Sequence, residues 1–316
     1  MTMDVGMTLP VMEPDVDPAL LREWAERIDA GPYGSLCFGE RIAFDNPDIL
    51  TLLGAVAAWT SRVRLSATVV VPQLHDPVHL AKALATADRL CGGRLSVGLG
   101  VGGREEDYAA VGADWGTRTM AGLAERAAVL RRVWAGENLT GATRPVGPRP
   151  HRPNGPELLV GTLGRRTTQH AARWADGLAG MTLGADVDET AALFDVARAA
   201  WADAGRPAPR LTTSLWFALA EASDDPRAQV HAHLRHYMNW LPVELVDALA
   251  PTAGFAGTLA ELDDLLDRFA EIGTDEVQLI PTGGDPRQVD LVADLVAGRA
   301  QSTGVMPSRC RFASSA

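Results

Sequence analysis

The sequence predicts an α/β protein, a (β/α)8 TIM barrel with an insertion near its seventh strand, and three observations carry that prediction. Strand and helix signals alternate nearly from end to end of the 316 residues. Several predicted strands are short, continuous apolar runs, which is typical of strands buried on both faces of a parallel sheet. Eight such strands with intervening helices, in a chain of this length, match one eight-stranded barrel.

A doubly wound sheet is the alternative fold. Its glycine-rich turn usually follows the first strand, whereas here four glycines fall within the six residues 98–103, at the end of the fourth predicted strand. This position favours the barrel. We expect residues 1–300 to form one domain and the polar residues 301–316 to form a flexible tail.

The order of elements follows from the apolar runs and the residues that punctuate them. The predicted strands are Asp4–Leu9, Ser35–Phe38, Val63–Val71, Leu95–Leu99, Glu157–Val160, Gly177–Met181, Leu211–Ala220 and Glu276–Ile280. The predicted helices are Pro18–Ala30, Pro47–Trp59, Pro77–Leu90, Thr119–Trp134, Arg165–Trp174, Val187–Ala204 and Pro286–Gly298. Three helices begin with a capping residue followed by proline, at Asn46-Pro47, Asp76-Pro77 and Asp285-Pro286.

Residues 222–260 are too many for a single barrel helix. A helical stretch there carries His231, His233 and His236, and a second helix is expected after Gly257. The three imidazoles do not share one tight face of the helix, so a solvated helix is favoured over a metal site. Because this insertion follows the seventh predicted strand, we expect it at the carboxyl end of the barrel, where it would act as a lid.

Composition excludes several classes of function. The net charge of −11 argues against nucleic acid and acidic membranes as partners, and no apolar run reaches the length of a membrane span. The N-terminus lacks the basic segment of a signal peptide, so we expect a cytoplasmic protein. Cys37 and Cys91 lie in apolar runs without CxxC spacing, and Cys310 makes their number odd, which favours reduced thiols.

A single lysine, Lys82, narrows the chemistry further. A phosphate-binding loop of the Walker type requires Gly-Lys-Ser/Thr, and Ala81 precedes Lys82 here. A pyridoxal enzyme requires a lysine for its Schiff base, and Lys82 lies in the middle of an alanine-rich helix. No HExxH motif or paired Cys/His spacing indicates zinc, so we expect no metal.

Two loops after successive predicted strands are suited to bind a phosphate. The first follows the fourth strand and contains Gly100, Gly102, Gly103 and Arg104. Glycines let the backbone approach an anion closely, and a guanidinium suits phosphate. A tight turn that requires positive φ explains the same glycines equally well.

The second loop follows the fifth strand, opens a helix, and contains Gly161, Thr162, Gly164 and Arg165. A helix N-terminus with a free hydroxyl and small neighbours is suited to an anion. Both loops would meet at the carboxyl-end rim of the barrel. Together they favour phosphate binding over a turn alone.

Three further residues are candidates for catalysis at this rim. Glu40 and Arg41 follow the second predicted strand, and His75 follows the third. Contact with a cofactor ring or with substrate is one interpretation of Glu40 and Arg41, and a salt bridge at the rim is the other. His75 would reach the same rim from the neighbouring strand.

Several stretches of the chain resemble the bacterial luciferase-like superfamily of flavin- and coenzyme F420-dependent oxidoreductases. The resemblance covers most of residues 1–298 and is most specific in 63–107, whereas 205–256 match little. The matching stretches are 39–41, 63–72 with 76–77, 81–90, 92–95, 97–107, 133–137, 175–177 and 273–277.

This resemblance implies a (β/α)8 barrel that uses reduced FMN for monooxygenation or coenzyme F420 for hydride transfer. It implies that the cofactor ring lies over the third strand, where a cis peptide would join Thr68 and Val69, and that the two glycine loops hold the phosphate. Many relatives carry histidine where this chain has Arg41. Glu40, His75 or the substrate would therefore have to handle protons.

We expect a homodimeric oxidoreductase that acts on a small organic substrate. Coenzyme F420 is favoured over FMN, although both carry a negatively charged tail and no sequence feature separates them. One alternative is a barrel isomerase that binds a phosphorylated ligand. The other is a non-catalytic relative that has lost its cofactor.

Overall fold

Eight parallel strands close into a ring, which confirms the predicted fold class. The structure, a computed structural model, describes residues 3–14, 16–139 and 141–302. The first seven strands pair in chain order, and the last strand joins the seventh to the first. The ring consists of β1 (Asp4–Thr8), β2 (Ser35–Phe38), β3 (Arg64–Val70), β4 (Leu95–Leu99), β5 (Glu157–Gly161), β6 (Gly177–Ala179), β7 (Arg210–Leu219) and β9 (Glu276–Pro281).

Helices cover the outside of the ring and one of its ends. Within the described ranges they are α1 (Pro18–Ala30), α2 (Ile49–Trp59), α3 (Pro77–Leu90), α4 (Glu105–Ala110), α5 (Met120–Trp134), α6 (Arg165–Ala171), α7 (Val187–Asp203), α8 (Pro226–Tyr237), α9 (Val243–Leu249), α10 (Leu259–Glu271) and α11 (Arg287–Ser302). Two short 3-10 helices are Pro72–Leu74 and Trp115–Thr117. The last helix runs past the predicted domain end at residue 300, and the rest of the predicted tail lies outside the described residues.

The helix starts agree with the capping signal at Asp76 and differ at Asn46. At the third signal, Asp285 accepts the backbone N–H of Arg287, and α11 begins there, one residue later than predicted. Asp76 caps α3 by accepting the backbone N–H groups of Val78 and His79. The prediction that α2 begins at Asn46-Pro47 is wrong, because the carboxylate of Asp48 caps it instead. An aspartate nearer the apolar run provided the better acceptor for the free N–H groups of the first turn.

The insertion lies where the sequence places it, after the seventh strand of the ring. It contains α8, α9 and a short strand, β8 (Phe255–Gly257), which pairs with the carboxyl end of β7 outside the ring. The second helix expected after Gly257 is α10. The strand β8 was not predicted, because three residues are too few to show a periodic pattern.

A buried carboxylate holds the opposite, amino-terminal end of the barrel together. Glu276 at the start of β9 is fully buried, and its Oε2 lies 2.6 Å from guanidinium nitrogens of both Arg64 on β3 and Arg210 on β7. Ser35 on β2 donates to its other oxygen. Burial by itself would raise the pKa of Glu276, but the two arginines outweigh burial and hold that pKa below its ordinary value.

Two minor sequence expectations concern thiols and membranes. Cys37 and Cys91 are buried and free, as predicted, and Cys310 lies outside the described residues. Among the described residues, no helix combines the length and the apolar character needed to cross a bilayer.

Candidate active site

The third strand bends at its carboxyl end, which forms the floor of the candidate site. Its pairing with β4 shifts register between Ala67 and Val70. The peptide bond between Thr68 and Val69, inside this bulge, is cis. Both side chains are half-buried rather than packed into the barrel. The family resemblance implied a cis bond at this pair.

Glycines of two neighbouring strands leave room for the Val69 side chain. A Cβ atom on Gly161 would lie 2.6 Å from Val69 Cγ1, and one on Gly100 would lie 2.8 Å from Val69 Cγ2. Gly98 has a similarly close contact. Packing therefore explains why these positions are glycine, which the sequence did not reveal. The absence of a side chain leaves the space that the bulge of β3 occupies.

The other two glycines after β4 differ from each other. Gly102 has φ +69°, so the tight-turn interpretation of this glycine is correct. A Cβ on Gly103 would meet no atom within 4 Å, and its surroundings are open. The loop contains one glycine for conformation, one for close packing and one with neither requirement.

Glu40 and His75 form a pair beside the bulge. Glu40 Oε1 lies 2.7 Å from His75 Nε2, and Oε2 accepts the backbone N–H of Val71 at 2.7 Å. The Glu40 side chain is 1% exposed and that of His75 is 14% exposed. The carboxylate thus ties the loop after β2 to the end of β3, and it does not pair with the neighbouring Arg41.

Arg41 lies in a separate group of residues, which we call the arginine–aromatic cluster: Arg41, Arg104, Phe44, Tyr237 and Trp240. The guanidinium of Arg41 is fully buried and lies 4.3 Å from the ring centre of Phe44 and 5.0 Å from that of Trp240. It donates to Glu106 at 2.7 Å and to the Tyr237 carbonyl at 3.1 Å. Burial, and then the charge of Arg104, lower the pKa of Arg41.

Arg104 joins the same cluster from the loop after β4. Its guanidinium lies 4.0 Å from the ring centre of Trp240 and donates to the Tyr237 hydroxyl at 2.7 Å. The cluster therefore connects the loops after β2 and β4 to the carboxyl end of α8. The predicted phosphate ligand Arg104 is engaged by the insertion in this structure.

The loop after β5 borders a cavity of about 280 Å³. Arg165 lines it together with residues of the loop after β6, of the first half of β7 and of α7, among them Thr182, Thr213 and Glu189. Arg165 is exposed, and among the described residues no carboxylate forms an ion pair with it. An anion near this guanidinium would meet a charge that forms no ion pair among the described residues, although the carboxylate of Glu189 lines the same cavity.

The helix that follows this loop supports anion binding less than the sequence suggested. Helix α6 is only seven residues long, and Gly164 is its N-cap. The Thr162 hydroxyl oxygen accepts the Gly164 N–H at 2.9 Å. The expectation of a free hydroxyl at this position is therefore wrong. The charge of Arg165 is therefore the main attraction for an anion here. A larger hollow of about 700 Å³ between α6 and α7 lies on the outside of the barrel, away from the strand ends.

The carboxyl ends of β6 and β7 lie beneath an apolar layer. The side chains that form it belong to the cluster Trp216, Ala218, Val230, Leu234, Met238, Val246, Ala250 and Ala253. A small cavity of about 40 Å³ remains between the loop after β6 and helix α8, next to Trp216. The barrel mouth thus has a glycine-lined half over β3–β5 and an apolar half over β6 and β7.

The prediction of a solvated histidine helix is wrong for His233. Its side chain is 2% exposed, and Nδ1 lies within hydrogen-bond distance of the Glu13 carboxylate. His231 instead pairs with Asp247 at the surface. No group of three metal-ligating side chains occurs among the described residues. The apolar neighbours Val230 and Leu234 were the available signal for a buried face.

The chain is similar to proteins of one family. The model of the luciferase-like monooxygenase family matches residues 3–281. An uncharacterized protein of Mycobacterium tuberculosis (strain ATCC 25618 / H37Rv) is 38% identical over 164 residues, which are 49% of this chain and 56% of that protein. The F420-dependent glucose-6-phosphate dehydrogenase of Beutenbergia cavernae is 35% identical over 139 residues, 42% of this chain and 41% of that enzyme. The chain therefore spans about half the length of these curated relatives.

Solved structures share the fold over almost the whole chain. An F420-dependent secondary alcohol dehydrogenase in complex with an F420-acetone adduct superposes with a TM-score of 0.76 at 16% identity, covering 93% of this chain and 98% of that one. The oxygenating constituent of 3,6-diketocamphane monooxygenase from Pseudomonas putida, in complex with FMN, superposes with a TM-score of 0.69 at 15% identity, covering 95% and 99%. At these identities the likeness shows the fold alone.

Proposed function

Because the chain belongs to the luciferase-like monooxygenase family, we propose that it is an oxidoreductase that uses coenzyme F420 to transfer a hydride to or from a small organic molecule. The observation that carries the proposal is the cavity at the loop after β5, which is lined by Arg165, a residue without an ion pair among the described residues. Gly161, at the start of that loop, borders the bulge of β3. One curated relative is named as an F420-dependent enzyme, which supports F420 over FMN. Monooxygenation with FMN is the second candidate.

The residues present fit such a cofactor. The cofactor ring would lie on Val69, whose side chain Gly100 and Gly161 accommodate at the barrel mouth. Arg165 would attract the phosphate from the rim of the neighbouring cavity. When bound, a deazaflavin supplies or accepts the hydride. The role of the protein is to hold the ring and the phosphate in one orientation and to keep water out.

The residues predicted to be catalytic fall into two groups with different surroundings. Glu40 and His75 lie against the bulge, so we propose that they shape the ring site and hold a proton beside it. Arg41 has no exposed side-chain surface, so we propose that it anchors the insertion rather than touching the ring. Their catalytic roles stay predictions. No observation favours the isomerase or the non-catalytic alternative.

Loss of the Arg165 charge should weaken cofactor binding. A hydrogen bond to a charged group contributes about 1.5–3 kcal/mol, so we expect Arg165→Gln to raise the dissociation constant for F420 by about tenfold or more. Fluorescence titration with F420, and separately with FMN, measures this. Arg166→Gln is the matched control, because this exposed neighbour does not line the cavity. If the unchanged protein bound neither cofactor, the proposed function would be wrong.

We propose that the insertion is a lid. We propose further that the arginine–aromatic cluster holds it against the loops after β2 and β4. Each contact between a guanidinium and an aromatic ring contributes about 0.5–2 kcal/mol, and Trp240 makes two of them. We therefore expect Trp240→Ala to increase hydrogen exchange in α8 while the melting temperature of the barrel stays nearly unchanged.

The control for the lid is Trp115→Ala. This indole contacts a single guanidinium, that of Arg118, and lies outside the insertion. Exchange in α8 should not respond to it. Equal protection of α8 in Trp240→Ala and in the unchanged protein would show that the cluster does not hold the insertion.

The remaining expectations stay proposals. We propose that the protein is a cytoplasmic homodimer and that its substrate is a small molecule.

A further inference from the structure

A hollow of about 700 Å³ lies between α6 and α7 on the outside of the barrel, and we call it the α6–α7 hollow. Helix α6 has seven residues and α7 has seventeen, so part of one face of α7 lacks a helical neighbour. The side chains that form the floor of the hollow are small: Ala172, Ala192, Val196, Ala199 and Ala200. The volume is that of a site for a small molecule or a short peptide.

The two walls of this hollow carry opposite charges. Arg165 and Arg173 line the side of α6, and Asp195 and Asp203 line the side of α7. Asp195 pairs with Arg198. The other three side chains make no ion pair or hydrogen bond with any described residue, although they line one hollow. Guanidinium groups and carboxylates that do not pair with each other remain available to a ligand that carries both charges.

The available charges lie at opposite ends of the hollow. Both helices connect neighbouring parallel strands, so they run side by side from the carboxyl end of the barrel to its amino end. Arg165 is the first residue of α6, and Asp203 is the last residue of α7. Ala192 lines both cavities that Arg165 lines, which places the two at the same level. From Ala192 to Asp203, a helix that rises 1.5 Å per residue spans about 16 Å.

The middle of the hollow presents an amide. Gln169 lines it between the two arginines of α6, and its side chain makes no hydrogen bond with any described residue. An amide side chain both donates and accepts hydrogen bonds, so it matches the N–H and C=O groups of a peptide backbone. The alanine floor lets such a backbone approach closely, and it favours small apolar side chains.

We propose that the α6–α7 hollow binds a short linear peptide with two free ends and small apolar side chains. The peptide carboxylate binds Arg165, which is the lining charge beside Ala192, and the ammonium binds Asp203 at the other end. An extended chain advances about 3.3 Å per residue, so about five residues span the hollow. Arg173 lies at the ammonium end, and it contributes nothing to affinity. The binding site does not depend on the proposed function.

The experiment is a calorimetric titration of the protein with penta-alanine. Three matched probes each lack one feature of this peptide. N-Acetyl-penta-alanine lacks the ammonium, penta-alanine amide lacks the carboxylate, and dialanine is too short to reach both ends. We expect each of them to bind at least fivefold more weakly than penta-alanine. Absence of penta-alanine binding in the millimolar range, or equal binding of a peptide blocked at both ends, would overturn this inference.

Variants of the protein test where the two ends of the peptide bind. Arg165→Gln and Asp203→Asn should each weaken penta-alanine binding at least fivefold. Asp188→Asn is the control, because this exposed carboxylate of α7 does not line the hollow. Ala199→Phe should abolish binding at an unchanged melting temperature, since its exposed side chain would fill the hollow. A loss of affinity in Arg173→Gln as large as in Arg165→Gln would overturn the assigned direction of the peptide.

Arg165 connects this hollow to the proposed cofactor site, because it lines both cavities. One guanidinium that serves two anions couples their binding negatively, and such coupling is reciprocal. Saturating penta-alanine should therefore raise the dissociation constant for F420 at least threefold, whereas penta-alanine amide should not. This expectation rests on the proposed function. Unchanged F420 affinity would overturn the coupling, and absence of F420 binding in the unchanged protein would overturn the proposed function while the calorimetry still decides the peptide site.

Discussion

Glu276→Gln should lower the free energy of unfolding by about 3–5 kcal/mol, the usual cost of breaking a buried ion pair by removing one partner. The carboxylate is fully buried and lies 2.6 Å from both Arg64 and Arg210. Without it, two guanidinium groups with little exposure face each other at the amino-terminal end of the barrel. The midpoint of urea-induced unfolding measures the change.

The same carboxylate should make stability depend on pH. Arg64 and Arg210, against the opposing effect of burial, hold the pKa of Glu276 below its ordinary value of 4.5. A group whose pKa is lower in the folded than in the unfolded state stabilises the protein above the unfolded value and loses that contribution as pH falls. Stability should therefore decline as pH falls below about 4.5, and less so in Glu276→Gln.

Glu157→Gln is the matched control. Glu157 also approaches Arg210, at 4.0 Å, but its side chain is 24% exposed. Partly exposed pairs contribute about 0–1 kcal/mol. A loss of stability as large as that of Glu276→Gln would mean that burial is not the reason for the effect.

Gly161→Ala should lower the affinity for the cofactor by about tenfold or more. Its Cβ would lie 2.6 Å from Val69 Cγ1, and a β-branched side chain has few rotamers in which to avoid it. Either Val69 or the end of β5 must move, and overpacking of this kind costs about 1–3 kcal/mol. Because we propose that the cofactor ring lies on Val69, this displacement should raise the dissociation constant measured by titration with F420.

Gly103→Ala separates this effect from a general loss of flexibility in the rim loops. A Cβ at Gly103 meets no atom within 4 Å, so its affinity should match that of the unchanged protein. Gly102 is unsuitable as a probe, since its φ of +69° would strain any side chain. Equal affinities in Gly161→Ala and Gly103→Ala would remove the Val69 bulge from the cofactor site.

The barrel was predictable because its signals are local. Apolar runs such as 63–71 and 95–99 mark buried parallel strands regardless of what surrounds them, and Asp76-Pro77 marks a helix start by chemistry that involves adjacent residues only. The positions of Glu40, His75 and Arg165 at one rim follow from the rule that the carboxyl ends of barrel strands point the same way.

The partners of these side chains were not predictable. Arg41 follows Glu40 in the chain, yet it pairs with Glu106 and packs on Trp240, almost two hundred residues away. Gly161 is small because of Val69, ninety-two residues earlier. Such contacts depend on distances across the barrel, which periodicity in one strand or helix does not contain.

His233 shows most clearly the difference between what the sequence predicts and what only the tertiary structure decides. From the sequence it was one of three histidines on a helix, each able to face water. Its burial against Trp216 and its pairing with Glu13 exist because α8 folds over the barrel mouth and brings the loop after β1 to the same place. The sequence by itself determined the fold, the family and the end of the barrel at which the candidate residues lie. The tertiary structure alone decided which polar groups lie buried there, because burial and pairing arise only where distant segments meet.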